Sequence, residues 1–175
     1  MVPTVNFRIL FVFVVLAHYR RRVIHFNATA HSTSEWTAQQ IAEAFPWDSA
    51  PRYLLHDRDS LYADVFRQRV RGMAIREVLT APRSPWQSPY VERLIGSIRR
   101  ECLAHLIVLN ESGLRRTLKS HFDYYHGVHT HLSLEKDAPE SRPAQPPELG
   151  SIVELPEVGG LHHRSVRRLE ELFPD

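Results

Sequence analysis

The chain has 175 residues, 43% of them hydrophobic and 24% charged, which excludes wholesale disorder, a coiled coil, a collagen-like chain and a multispanning membrane protein, and allows one domain with an appendage. Lys plus Arg is 22 against 20 for Asp plus Glu, so the net charge of +2 says little about partners; yet only Lys119 and Lys136 are lysines, and arginine's planar fork suits phosphate, which makes nucleic acid worth testing. A single cysteine, Cys102, excludes an internal disulfide framework and a cysteine-rich zinc site, and a reducing cytoplasm is the default compartment.

Arg8 to Ala17 places one Arg ahead of a short apolar run, the outline of a secretory signal peptide, but the run is too short to span a bilayer. Ile9 to Val15 is also mostly β-branched or aromatic, and Val23 to Ala28 alternates apolar with polar side chains. The pair predicts a hairpin with Arg20-Arg21-Arg22 in its turn. Cleavage after Ala17 would strip the second strand of its partner, so the hairpin is preferred over export. Ser32 and Glu35 stand in capping-box relation, predicting a helix with Trp36, Ile41, Ala44 and Phe45 on one face, ended by Pro46 and Pro51. Arg52 to His56 then reads as a central strand that delivers Asp57 at its carboxyl end. A helix over Ser60 to Gly72, a strand over Ile75 to Leu79, a Pro-punctuated loop over Ala81 to Pro89 and helices over Tyr90 to Leu103 and Glu111 to Tyr125 follow. Strand and helix alternate after an opening hairpin, which predicts an α/β fold with mixed strand directions. From Lys136 onward prolines cluster at 139, 143, 146, 147 and 156, so the chain divides into a core over 1–135 and, over 136–175, a Pro-rich linker with a short helix near Arg164 to Phe173.

Asp57 stops an apolar strand, which is where open α/β sheets place ligand groups. Glu92 lies in the first turn of a helix whose apolar side is Val91, Leu94, Ile95, Ile98 and Cys102; it falls off that side, with Gly96 and Arg99 further along the same polar stripe. Two carboxylates meeting from a strand end and a helix start would hold hard divalent cations. Each residue alone has a plainer role: a helix-start Glu most often complements the dipole, and an Asp after a strand most often caps a turn.

His56-Asp57-Arg58-Asp59-Ser60-Leu61-Tyr62 resembles the motif around the second catalytic Asp of insertion-sequence transposases and retroviral-type integrases, with Asp59 where that motif usually has Gly. Ser84-Pro85-Trp86-Gln87-Ser88-Pro89-Tyr90-Val91-Glu92 is similar to the family's loop leading to its catalytic Glu, Arg99 falls where the family carries a DNA-contacting base, and Arg100-Glu101 also fits. Tyr124 to Leu134 resembles a Tyr, Arg, Pro, His and Leu signature, with His129 in place of the Arg and Pro139 as its trailing Pro. The motifs run in order from Thr4 to Pro139.

The resemblance implies an RNase H-like mixed sheet with flanking helices and a partly truncated opening hairpin, and magnesium- or manganese-dependent cutting and joining of DNA through an Asp, Asp and Glu triad. Asp57 and Glu92 become catalytic residues and metal ligands; Arg99, Arg100 and Arg58 become DNA contacts, with Trp86 and Tyr90 shaping the active-site loop. Residues 1–6 contain no carboxylate, so the first Asp is missing, the amino terminus reads as truncated, and activity is expected to be lost and metal binding weakened. The expected partner is DNA, with self-association open and no membrane. The alternative is a non-catalytic nucleic-acid-binding or dimerising module that kept the fold. His126, His129 and His131 bring zinc to mind, but no cysteine is near. Trp36 reads as core, while Trp47 and Trp86 are candidate stacking platforms. The Arg20-Arg21-Arg22 run, together with Arg58, Arg67, Arg69, Arg71, Arg99 and Arg100, outlines a phosphate track.

Overall fold

The first strands follow from the apolar run that opens the sequence. In the computed structural model, which describes residues 1–46 and 49–168, β1 (Val2–Pro3), β2 (Ile9–Leu16) and β3 (Val23–Thr29) form an antiparallel sheet in that order. Trp47 lies outside the described residues. Both faces of β2 are covered, which is why its sequence is apolar throughout rather than alternating. Leu10, with Val12 and Val14, packs against Leu94, Ile98, Leu114, Leu118 and Phe122; Phe13 and Val15 pack against Ala38, Ile41, Phe66 and Val70. Helices therefore cover both sides of a mixed α/β core.

The helix α1 (Ser34–Ala44) is capped by Thr33, whose hydroxyl accepts from Trp36 N at 3.2 Å. This corrects the expected Ser32 cap by one residue. Trp36 packs edge-on against Phe13 at 6.0 Å, as core. β4 (Tyr53–His56) and β5 (Arg76–Leu79) pair in parallel, joined by α2 (Asp64–Gly72). The single helix expected from Ser60 breaks in two, because Ala63 is extended and separates a 3-10 turn at Ser60–Tyr62 from α2. α3 (Pro89–Ser97) continues into a π-helical turn, Ile98–Cys102, and α4 is Glu111–Gly127.

The tail holds a different element from the one expected. β6 (Ser151–Glu157) and β7 (His162–Arg168) form an antiparallel hairpin, so Arg164 to Arg168 are strand and not helix; residues 169–173 of the expected helix lie outside the described residues. Val158, Gly159 and Gly160 all take positive φ, +52°, +67° and +89°, and this turn joins the two strands of the hairpin. Val158 is buried, and His162 stacks on Tyr124 of α4 at 4.4 Å and 8°.

Candidate functional site

Asp57 is exposed at the end of β4 and organises its own turn: Oδ1 accepts from Asp59 N at 3.1 Å, and Asp59 Oδ1 in turn accepts from Leu61 N at 2.9 Å. Beneath it, buried His56 faces two acceptors, Asp57 O at 2.7 Å from Nδ1 and Glu77 Oε2 at 3.2 Å from Nε2. Tyr62 and Phe66 close over the His56 ring at 4.8 and 5.3 Å. Burial, reinforced by the Asp57 and Asp59 charges, pushes the Tyr62 hydroxyl up to about 12, so it stays a neutral wall beside the carboxylates. The turn after β4 is thus rigidly backed while its carboxylate faces solvent.

Glu92, in the first turn of α3, lines the same cavity as Asp57. Gln87 Oε1 accepts from Ala81 N at 2.7 Å, tying together the two ends of the loop that leads to the helix, and Glu92 N bonds Ser88 O at 3.1 Å. Asp57, Arg58, Glu92 and Arg99 line one cavity of about 1000 Å³ between the β2–β3 hairpin and β4. His18 and Arg83 also line it, and sequence reasoning did not single them out; Arg83 stood in the Pro-punctuated loop without a motif to mark it.

Not every expected site residue joins this cavity. Trp86 is 70% exposed on the approach loop and is not among the lining residues. The Tyr90 ring packs under the Arg21 guanidinium at 4.3 Å and against His18 at 5.4 Å. Arg100 folds back over Gly96, its Nη1 about 3.0 Å from where a Cβ there would stand. The expected arginine track is also largely spoken for: Arg20 pairs with Asp137 at 2.6 Å, Arg22 with Glu140 at 3.3 Å, and Arg67 and Arg71 with Glu77 at 3.9 and 3.8 Å. Of the expected track, Arg99 and Arg58, whose Nε donates to Thr80 O at 3.2 Å, line the cavity with Asp57 and Glu92.

The histidines divide by role. His126 Nε2 accepts from Val23 N at 2.9 Å, a structural bond to the first hairpin, and His129 pairs with Glu101 at 3.5 Å. Among the described residues no three His, Cys, Asp or Glu side chains are placed to hold a metal ion. Asp57 and Glu92 are hard oxygen donors of the kind Mg²⁺ takes, right in kind and short in number.

Residues 73–139, which include α3 with Glu92 and Arg99, all of α4 and the Tyr124 to Pro139 stretch, match the family model described as integrase core domain. No curated protein matches the chain. Among solved structures it is similar to a chain of the cryo-EM structure of the simian T-cell lymphotropic virus intasome in complex with PP2A regulatory subunit B56 gamma, with TM-score 0.55 and 17% identity over 88% of this chain. At that identity the likeness is one of fold. The chain spans 59% of the length of the chain it matches.

Proposed function

We propose, on the premise that residues 73–139 are integrase core domain sequence within a fold shared with an intasome chain, that this protein binds DNA as a transposase or integrase catalytic core of RNase H-like design. The observation that carries the reading is that Asp57, from a strand end, and Glu92, from a helix start, line one cavity together with Arg58 and Arg99. The reaction class is phosphodiester cleavage and strand transfer. Arg58 and Arg99 would draw in the DNA backbone, and Asp57 and Glu92 would be the ligands of a divalent ion. Such an ion, when bound, polarises a phosphate and activates the attacking oxygen. Two carboxylates leave that ligand set incomplete, and this favours the second reading, a DNA-binding module of the same fold without turnover. Self-association fits either reading.

Loss of one ligand from such a site costs roughly a thousandfold or more in rate. Residues 1–175 are therefore expected to bind duplex DNA at low salt yet leave supercoiled plasmid intact with Mg²⁺ or Mn²⁺. Plasmid nicking beside a gel-shift titration checks both. Robust metal-dependent nicking that disappears in Asp57→Asn and Glu92→Gln establishes the full enzyme, nicking that survives both substitutions removes these residues from the site, and an absence of DNA binding overturns the proposal.

A further inference from the structure

Arg21 is a buried charge without a counter-charge. It is 9% exposed, its Nη1 is buried and bonded to no protein atom, and no carboxylate of the described residues pairs with it, whereas its neighbours Arg20 and Arg22 reach Asp137 and Glu140. The turn adopts sparsely populated backbone, φ +49° at Arg20 and +55° at Arg21, and so sends the two side chains to different places. The ring of Tyr90 takes one face of the Arg21 guanidinium at 4.3 Å but offers no acceptor to its edge. Tyr90, Arg93, Ser97 and Glu101 recur at helical spacing along α3 and the turn that follows it, so they share one stripe; Tyr90 under Arg21 and Glu101, 3.5 Å from His129, fix its two ends. Opposite lie Tyr125 and His131, their rings 5.0 Å apart, with His129 4.8 Å from His131. His131 is held below its usual range by burial first and then by the charges of His129, Arg21 and Arg93, which places both guanidiniums at this seam. Ser97 Oγ and His131 Nε2, in residues 6% and 7% exposed, are like Arg21 Nη1 buried without a protein partner.

We infer that this seam between the turn of the first hairpin, α3 and His131 binds one small inorganic anion of halide size, with Arg21 Nη1, Ser97 Oγ and His131 Nε2 as donors and Arg93 at its mouth. Charge and donors set the class. A guanidinium, a hydroxyl and an imidazole N–H can all donate to a single acceptor. A water molecule could fill the same bonds, but it would leave the guanidinium buried and uncompensated, which an anion does not. The carboxylate of the stripe, Glu101, is engaged by His129 and cannot serve Arg21 as well. Packing sets the size. The His131 ring lies 4.8 and 5.0 Å from its two neighbours and all three donors belong to buried residues, which suits a monatomic ion and excludes a DNA phosphate carried on its polymer. The inference therefore stands apart from the cavity of Asp57 and Glu92 and does not rest on the DNA reading.

The test is the Tm of the full chain at constant ionic strength while sodium gluconate is exchanged stepwise for sodium chloride. Chloride is expected to raise Tm by about 3 to 5 °C for each further tenfold once the site is half filled, bromide to replace it and sulfate not to. Arg21→Met keeps an unbranched stem beneath Tyr90 and removes the charge. It should abolish the dependence and, in gluconate, melt no lower than the parent, whereas loss of an arginine that only packs would lower Tm equally in both salts. Arg22→Met, at an exposed site, should keep the dependence. Where Arg21→Met folds poorly, chloride NMR on the parent gives a second measurement: the line broadened by the protein should narrow when bromide is added and not when sulfate is, and Ser97→Ala should raise the half-saturating chloride concentration at least about tenfold. The inference is overturned by equal Tm in chloride and gluconate, by a response to sulfate as large as that to chloride, by a dependence that survives Arg21→Met, by a chloride line that bromide does not narrow, or by unchanged half-saturation in Ser97→Ala. None of these outcomes bears on DNA binding, so the two proposals fail separately.

Discussion

His121 is fully buried in α4 with neither ring nitrogen bonded to a partner, amid His129, His162 and the Glu101 backbone region. Burial pushes it down to about 4, the neighbouring His162 and His129 adding to the effect and Glu101 opposing it. His131, 7% exposed, is also pushed down to about 4 by burial. A histidine whose folded pKa lies below its unfolded value binds its proton first in the unfolded chain, so its contribution is whole above about pH 6.5 and is lost as pH falls toward 4. For His121 the loss is on the order of 3 kcal/mol at the acid end. Melting temperature followed from neutral pH to about pH 4 is expected to fall steeply, and less steeply in His121→Leu; parallel slopes would contradict this. The sequence pointed to His126, His129 and His131 because they are adjacent in the chain. The buried histidines of this region are instead His121 and His131, with His129 half-buried against His131 and His162 brought against His121 by the return of β7 onto α4.

At the scale of elements, regular periodicity was legible and boundaries were not. The continuous run of β2 and the spacing of Leu114, Leu118, Phe122 and Tyr125 each read correctly, because burial enforces those patterns, and β3 forms over the stretch expected although its burial does not strictly alternate. Ser32 looked like the α1 cap since it pairs with Glu35 in the familiar four-residue box; the backbone instead places Thr33 in the extended cap conformation. Thr33→Ala is therefore expected to cost about 1 kcal/mol by chemical denaturation, and Ser32→Ala much less. The helix expected near Arg164 to Phe173 is a strand over Arg164 to Arg168, and the signal that could have shown it was the Gly159-Gly160 pair between two short extended segments. That hairpin docks through buried Val158 and the His162–Tyr124 stack. Val158→Asp should release it, read as rapid proteolytic cleavage in the exposed stretch 141–149 with the core left intact.

Across the whole molecule, the motifs picked out residues that line one cavity, while the fate of the other expected residues was decided by packing. Asp57, Glu92, Arg58 and Arg99 all reach the one cavity, whereas Tyr90 is committed to Arg21 and much of the basic surface to internal ion pairs. No spacing rule distinguishes an arginine that will meet phosphate from one that will meet Asp137. Arg99→Ala is expected to weaken binding to all duplex sequences alike and to lower the slope of log affinity against log salt by about one, while Arg20→Ala should lower stability rather than that slope. Affinity measured over a series of salt concentrations separates the two.

Arg20 holds a place in time as well as in space. Its guanidinium grips the Asp137 carboxylate and the carbonyls of Ala138 and Pro139, so the tip of the first hairpin is fastened to residues made 117 to 119 positions later. At the usual 5–20 residues per second, a ribosome takes about 6 to 24 s to cover that distance. Through that interval the nascent Ile9 to Leu16 segment has emerged while the helix that carries Leu114, Leu118 and Phe122 is still unmade. The face of β2 that carries Leu10, Val12 and Val14 is therefore the last part of the core to be covered, long after β3 and α1 have closed on the rest of the strand.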